Sequence, residues 1–412
     1  MHVKKDSSRS RTAPTFSSTR RDVLKAIGGG LFVAASGCSR SAEIEPVSIA
    51  VVGAGLFGSS TAMHLASSGA GSVLLIGPSE VEGGTSAAQA LASHYDESRN
   101  ATAMDADPEW AELARSSVEP MRALENRSGM KVFHEVGSLR VTQGRFAQGY
   151  FNIDGIRNTA SKLAIPLVSL TPQSLAARYP ECHFDSDSLG LLQERDAGVI
   201  RPRSLVSAMR KVAVLDGATW LDDEVTRIEP ETDYVSLLLA SGTRLRAQRV
   251  VVATGAAPIG HALLPDEPAG KFAVHGNLAV HIEVPDSFKT TLSPTMLTSS
   301  SADEFFGGFI APPMRYPDGR RYVKVAGQVR SLADGAPVPD QVDGAVRAAK
   351  RLFPSLTPGS VRSQVCMTTD TESGRPVIDW VDSKIAVAIA GNGKGAKAAL
   401  EIGRRAAARC EA

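Results

Sequence analysis

Apolar and polar positions change their period several times along this chain, and each change marks an element. Ile49–Val52 is an unbroken apolar run, the pattern of a strand buried on both faces. It runs into Gly53-x-Gly55-x-x-Gly58, and a helical pattern follows. Val73–Ile76 repeats the buried-strand pattern. Trp110–Ser128 carries Trp110, Leu113, Val118, Met121 and Leu124 on one helical stripe. Ser138–Val141 opens a region of short strands, and Pro172–Tyr179 reads as a short helix. Gly198–Val225 reads as strand, Pro-started helix and strand, and Tyr234–Leu239 with Arg244–Leu245 as a hairpin around Ser241-Gly242. Arg249–Gly255, RVVVATG, is a buried strand closed by a small-residue turn. His275–Val284 and Arg320–Val329 are strand-like, and Gln341–Phe353 is helical. Lys384–Gly391 is a strand that leads through a Gly-rich turn into a helix ending near Arg409. Strand–helix units at both ends and in the middle, with strand-rich stretches between, predict an α/β fold with one doubly wound domain built from separated pieces.

The glycine turn between the first strand and helix is the context in which GxGxxG binds a dinucleotide. Gly53 permits the tight turn, Gly55 lets the backbone approach a pyrophosphate, and Gly58 lets helix and strand pack closely. The helix start then offers free N–H groups and a partial positive charge to phosphates. FAD and NAD(P) both fit this signal. The acid expected at the end of the second strand is missing: Gly77 stands there, and Glu80 in the following loop is the candidate to take its place.

Composition narrows the class. The 412 residues are 43% hydrophobic and 22% charged, an ordinary globular balance with room for two domains. The formal net charge is +1, but residues 1–37 hold seven Lys/Arg against two Asp/Glu, leaving 38 basic and 42 acidic residues elsewhere. No basic field remains to attract nucleic acid. Cys38, Cys182, Cys366 and Cys410 are too sparse for a disulfide framework, and no His/Cys set has metal-site spacing.

The N-terminus reads as an address. Thr19-Arg20-Arg21-Asp22-Val23-Leu24-Lys25 resembles the twin-arginine export signal, and uncharged Ala26–Gly37 is too short to span a bilayer. Ala35-Ser36-Gly37-Cys38 resembles a bacterial lipoprotein cleavage box with Cys38 as the lipidated residue. A mitochondrial transit peptide and a simple secretory cleavage near Ala42 are the alternatives. The expectation is an exported, periplasmic or cell-surface protein held to the membrane surface by lipid.

Five segments in chain order resemble one family: the glycine turn, SHYDESR (Ser93–Arg99), RVVVATGAAP (Arg249–Pro258), QVCMTTDTESGRPVID (Gln364–Asp379) and AGNGKGAKAAL (Ala390–Leu400). They are similar to FAD-dependent amine oxidases of the D-amino-acid oxidase superfamily, in particular the monomeric sarcosine oxidase and N-methyltryptophan oxidase branch. The resemblance implies a discontinuous Rossmann-type FAD-binding domain over 46–133, 197–264 and 374–412, after an export signal over 1–38. It implies a β-rich substrate domain over 134–196 and 265–373. The implied reaction is oxidation of a secondary or primary amine to an imine, with hydrogen peroxide formed as oxygen reoxidises the flavin. A dehydrogenase that passes electrons to a quinone or carrier, and a flavin-binding lipoprotein without turnover, are the alternatives.

The resemblance also assigns residues. Cys366 matches the cysteine that carries the flavin through a thioether; on its own, a lone cysteine is usually a small buried hydrophobe. Lys324 matches the lysine that reaches flavin N5 through water and activates oxygen, although alternation alone leaves it a solvated edge-strand lysine. Lys397 matches a lysine near flavin and substrate carboxylate, and otherwise reads as a solvent-facing helix residue. Ser98 and Arg99 match a pair beside the isoalloxazine; an arginine after a loop is otherwise a surface ion-pair partner. Val225, Thr254, Gly255, Gly393 and Gly395 complete the expected cofactor contacts, and no metal is expected. Three positions depart from the branch: Thr368 replaces a tyrosine, Gln328 a histidine and Thr102 an arginine used for substrate carboxylate. All three departures are expected around the substrate, so the pocket is not the one that binds sarcosine.

Overall fold

The computed structural model describes residues 46–80, 92–143, 152–256, 263–264, 272–297, 308–328 and 339–411. The export-signal expectations, Cys38 included, and Ala257-Pro258 of the third matching segment lie outside the described residues. The described part opens with β1 (Val47–Val52), α1 (Leu56–Ser68) and β2 (Val73–Ile76). There follow β3 (Arg99–Ala101), α2 (Pro108–Ser128), β4 (Phe133–Glu135) and β5 (Ser138–Gln143), then α3 (Ile153–Lys162), β6 (Val168–Leu170), α4 (Pro172–Arg178) and β7 (Ser188–Gln193). Next come β8 (Gly198–Ile200), α5 (Pro202–Leu215), β9 (Thr219–Leu221), β10 (Val225–Pro230), β11 (Val235–Leu239) and β12 (Arg244–Val252). The last part holds β13 (Phe272–Glu283), β14 (Thr295–Leu297), β15 (Gly308–Arg315), β16 (Arg321–Gln328), α6 (Pro339–Leu352), β17 (Val361–Thr371), β18 (Val377–Trp380), β19 (Ile385–Ile389) and α7 (Gly395–Glu411).

These strands sort into two large sheets. The first runs β10-β11-β12-β1-β2-β9, with β19 beside β12 and β18 beside β19. Its centre is parallel: β1 pairs with β2 on one side and β12 on the other, and β12 also pairs in parallel with β19. β12 holds two architectures together. Its first half pairs antiparallel with β11, as the hairpin pattern predicts, and its second half belongs to the parallel core. The hairpin arm and the RVVVATG strand are therefore one continuous strand.

The unbroken apolar run of β1 follows from burial on both faces. Ile49 and Val51 pack with Leu205, Met209 and Leu400, on the helix-covered side. Ala50 and Val52 pack with Leu237, Leu245 and Val387 on the other. Each fully buried valine of this kind contributes about 1.5–3 kcal/mol of transfer free energy.

The second sheet runs β17-β13-β16-β15-β14-β5-β7-β6. β13 is its longest strand; Phe272–Ile282 pair with β17 and Asn277–Glu283 with β16. A small third sheet, β3-β8-β4, is formed by the segments that pass between the two large ones in the chain. The elements β7, β15, β17 and α3 carry no clear periodic signal in the sequence, and packing against neighbouring strands settles them.

The glycine turn is close-packed. Gly53 has φ +106°, and a Cβ there would stand 2.5 Å from the Ala253 carbonyl oxygen. A Cβ on Gly58 would stand 1.8 Å from the Gly53 carbonyl oxygen. Replacement of Gly58 by Ala must therefore push α1 away from β1. Gly58→Ala is expected to destabilise the protein by at least about 1–3 kcal/mol, read as a lower urea midpoint at unchanged slope.

Candidate active site

The N-terminus of α1 is open. Gly55 caps it without a side-chain hydrogen bond, and no acidic residue occupies the first turn. Its first N–H groups are thus available to an anion. A Cβ on Gly55 would meet nothing closer than the His94 ring, at 3.7 Å. Burial, with the guanidinium groups of Arg210, Arg203 and Arg99, pushes the His94 pKa down to about 3. His94 is therefore a neutral imidazole that lines the turn without adding charge.

His94 begins the stretch that reaches from this turn to the second sheet. Two residues on, Asp96 is fully buried. Its Oδ2 takes an ion pair from Lys324 Nζ at 2.7 Å and a hydrogen bond from Arg99 Nη1. Its Oδ1 accepts from Tyr316 OH at 2.7 Å and from the Glu97 N–H at 2.7 Å, and faces His281 Nε2 at 3.4 Å. Burial works against the charge, but Lys324 and Arg99 outweigh it and hold the carboxyl well below the usual carboxylate range. Burial also lowers His281, against the pull of Asp96.

Lys324 is 2% exposed, on a strand flanked by β13 and β15, so it is not the solvated edge-strand lysine that alternation alone describes. Its Nζ donates to the Ser98 carbonyl at 2.7 Å. Burial and the neighbouring Arg99 lower its pKa, Asp96 raises it, and the balance lies at about 8. Arg99 spreads its remaining donors over the Ser93 carbonyl at 2.7 Å, the Ser98 carbonyl at 3.0 Å and Cys366 Sγ at 3.4 Å. Cys366 is buried on β17 opposite Asn277 of β13, and Gln364 Nε2 approaches its sulfur at 3.7 Å. Ser98, Arg99, Lys324 and Cys366 thus form one cluster around Asp96.

A second buried carboxylate repeats the arrangement. Asp105 lies between Lys394 Nζ at 2.8 Å and Lys397 Nζ at 3.0 Å. Burial opposes its ionisation, and the two lysines hold its carboxyl below the usual range. Lys397 is 7% exposed at the start of α7, not solvent-facing. Burial lowers its pKa, Asp105 counters that, and Lys394 and Arg140 lower it further.

The Gly-rich turn before α7 is tied into the same region. Ala390, Asn392 and Gly393 all have positive φ, at 71°, 47° and 69°. The Asn392 N–H donates to the Thr369 carbonyl at 3.0 Å, and its Oδ1 accepts from the Thr371 N–H at 2.9 Å. A Cβ on Gly395 would stand 3.1 Å from the Phe57 ring of α1. The contacts close a circuit: α1 start, His94, Asp96, Lys324 and Arg99, Cys366, the end of β17, the Gly391–Gly395 turn, and back to α1 through Phe57.

The other expected cofactor residues lie apart from the two charge clusters. Thr254 and Gly255 follow β12, and Thr254 Oγ1 is buried without a partner among the described residues. Val225 opens β10 with its side chain buried in the sheet. Glu80 accepts from Arg203 Nε at 2.6 Å, so an arginine answers the acid proposed for the ribose. Thr102 gives its hydroxyl to Gln193 Oε1 at 2.9 Å and so is held by protein rather than turned to a ligand. Thr368 bonds to the His275 carbonyl at 3.4 Å. Of Gln328, only its place at the end of β16 is described. Asp96, Asp105, Tyr316, His281 and Asn392 were not assigned roles from sequence. Their signal is spatial, apart from the position of Asp96 inside SHYDESR.

These residues fit FAD. The open helix N-terminus and Gly55 suit a pyrophosphate, the buried Thr254 hydroxyl is left to bond a group from outside the described residues, and a thiol and two cations meet at the far end of the same circuit. Among the described residues, no group of three or more His, Cys, Asp or Glu is placed to hold a metal ion. No helix among them is long and apolar enough to cross a membrane.

Fold and site together define a flavin-dependent oxidoreductase. The chain belongs to the DAO family, FAD dependent oxidoreductase, whose model matches residues 48–409. Solved structures share the fold. The Tyr258Phe mutant of NikD, an amino acid oxidase of nikkomycin biosynthesis, is 22% identical with TM-score 0.70, covering 89% of this chain and 94% of its own. Glycine oxidase from Bacillus cereus ATCC 14579 is 18% identical with TM-score 0.67, covering 89% and 97%. L-proline dehydrogenase from P. horikoshii is 18% identical with TM-score 0.70, covering 88% and 92%. No functionally curated protein matches the chain.

The two buried carboxylates make stability depend on acid. Asp96 and Asp105 have folded values below their ordinary 3.8, so the unfolded chain binds more protons as the pH falls past about 4. Their contribution is complete above that value and is lost below it. The urea midpoint is expected to fall steeply below about pH 4, and Asp105→Asn to give a shallower fall from a lower starting stability.

Proposed function

We propose that this protein oxidises a primary or secondary amine, amino-acid-like in class, with FAD attached through Cys366. The observation that carries the reading is the single buried cluster of Cys366, Arg99 and Lys324 at the end of the circuit that starts from the open helix N-terminus. When bound, FAD takes up two electrons as a hydride equivalent and passes them on.

The chain's own groups set the conditions for that transfer. Arg99 donates to Cys366 Sγ at 3.4 Å and so fixes the sulfur at the place proposed for the thioether. The two clusters each hold two cations against one carboxylate, so each carries an excess positive charge while its lysines are protonated. That excess disfavours a second cation and so selects the neutral form of an amine. Lys397 and Lys394 are the groups for a substrate carboxylate. Structural relatives that are an amino acid oxidase, a glycine oxidase and an iminodiacetate oxidase support this substrate class.

Lys324 is the group for oxygen: a fixed ammonium stabilises the negative charge that develops as oxygen accepts an electron. A second reading, dehydrogenation with a carrier as acceptor, has an observation in its favour. The Lys324 ammonium already faces Asp96 and Ser98, which weakens its field at any third group. Export by the twin-arginine route with lipid at Cys38 belongs to the same proposal. It is tested by labelling with a radioactive fatty acid, which Cys38→Ala should abolish.

Acid precipitation tests the cofactor. Yellow colour is expected in the pellet of the purified protein and in the supernatant of Cys366→Ser; colour retained in the mutant pellet overturns the attachment. Anaerobic bleaching by candidate amines tests turnover. Peroxide formed with air as sole acceptor separates the oxidase from the dehydrogenase. Lys324→Met should slow reoxidation by oxygen at least about tenfold with flavin reduction little changed.

A further inference from the structure

Asp96 is buried among five polar partners. Its two oxygens face different ways. Oδ2 meets only cations, Lys324 and Arg99, and Oδ1 meets Tyr316 OH, the Glu97 N–H and His281. The neutral side acts as an anchor: with Oδ1 bonded, the carboxylate plane cannot turn, and Oδ2 keeps its place between the ammonium and the guanidinium. Lys324 in turn is held against the Ser98 carbonyl, and Arg99 against Cys366.

We infer that Asp96 is a positioning residue whose fixed carboxylate holds Lys324 and Arg99 together at the cofactor site and sets whether Lys324 carries its proton. This deepens the proposed function and rests on it in one respect, the placement of flavin beside Lys324. Every charged or titratable group around Lys324 enters the balance. From the segment that enters β3 these are Asp96 and Arg99; Glu97 turns away to Arg201 and Arg203. His281 faces it from β13, and Cys366 from β17. Tyr316 lies beyond the carboxylate, with Arg362 stacked on it at 5.0 Å. Asp96 is the one anionic carboxylate in this set. Without its charge, two buried cations would face each other, and the lysine, the weaker base, would give up its proton.

The test is the pH dependence of the midpoint potential of the bound flavin, measured by spectroelectrochemistry on the flavin-loaded protein. A charge that titrates beside the flavin bends that plot at its pKa. The wild-type bend is expected near the Lys324 value of about 8. Asp96→Asn should move it down by at least about one pH unit, and Asp96→Glu should restore it. Arg99→Gln removes the competing cation and should move the bend up, which keeps the test open if Asp96→Asn fails to fold. A bend that Lys324→Met abolishes but that neither Asp96→Asn nor Arg99→Gln moves overturns the inference.

Lys324→Met separates the two claims. Loss of the bend supports both. A bend that survives Lys324→Met takes the flavin away from Lys324 and overturns that part of the proposed function. The pairing is then decided by urea unfolding of Asp96→Asn, Lys324→Met and the double variant. Losses much smaller than additive in the double variant support it, and additive losses overturn it.

Discussion

A charge removed from water must be met by another charge or stay in its neutral form. That constraint organises the region where the two large sheets meet. Asp96 lies on the connection from β2 of the first sheet to β3 of the small one and finds its counter-charge on β16, inside the second large sheet. Asp105 leaves the stretch after β3 and finds its partners at the start of the C-terminal helix. Each carboxylate is matched by two cations rather than one. The arrangement keeps the anions ionised and leaves a surplus of positive charge in a place where little water reaches.

The pairing also explains why residues with quite different sequence surroundings act together. Ser98 and Lys324 share a hydrogen bond across 226 positions, and Arg99 and Cys366 across 267. The Gly-rich turn is locked to β17 by Asn392, whose own left-handed backbone conformation exposes its N–H and amide oxygen to Thr369 and Thr371. Such a conformation is uncommon outside glycine and is kept only where the surroundings hold it in place.

Much of this was legible in the sequence where the signal is local. The buried run Ile49–Val52, the three glycines after it and the helical stripe from Trp110 each reflect a rule that acts within a few residues. The hairpin was legible too, although its second arm and the following buried run form one strand, β12, because the parallel core and the hairpin share an axis. The cysteine and both lysines could be singled out only through resemblance. What no local rule shows is the partner. An isolated aspartate has the same neighbours in sequence whether it ends in solvent or between two cations. Glu80 illustrates the point: a plausible ribose ligand by position is engaged by Arg203, 123 positions later.

The three departures also look different in space. They share an expected location in the sequence comparison, but Thr102 is tied to Gln193 and Thr368 to a backbone carbonyl. The missing arginine at position 102 is therefore not merely absent. Its place belongs to a buried polar contact between Thr102 and Gln193.

The closed circuit of contacts has a bearing on the order of events during synthesis. Helix α7 packs on α1, where Ser60 Oγ donates to the Leu400 carbonyl 340 positions later at 3.4 Å, and its first turn supplies Lys397. Ribosomes deliver the glycine turn long before this helix. A nascent chain thus carries the first strand and helix well ahead of the partners that close the circuit, and the site takes its final form only once α7 has emerged.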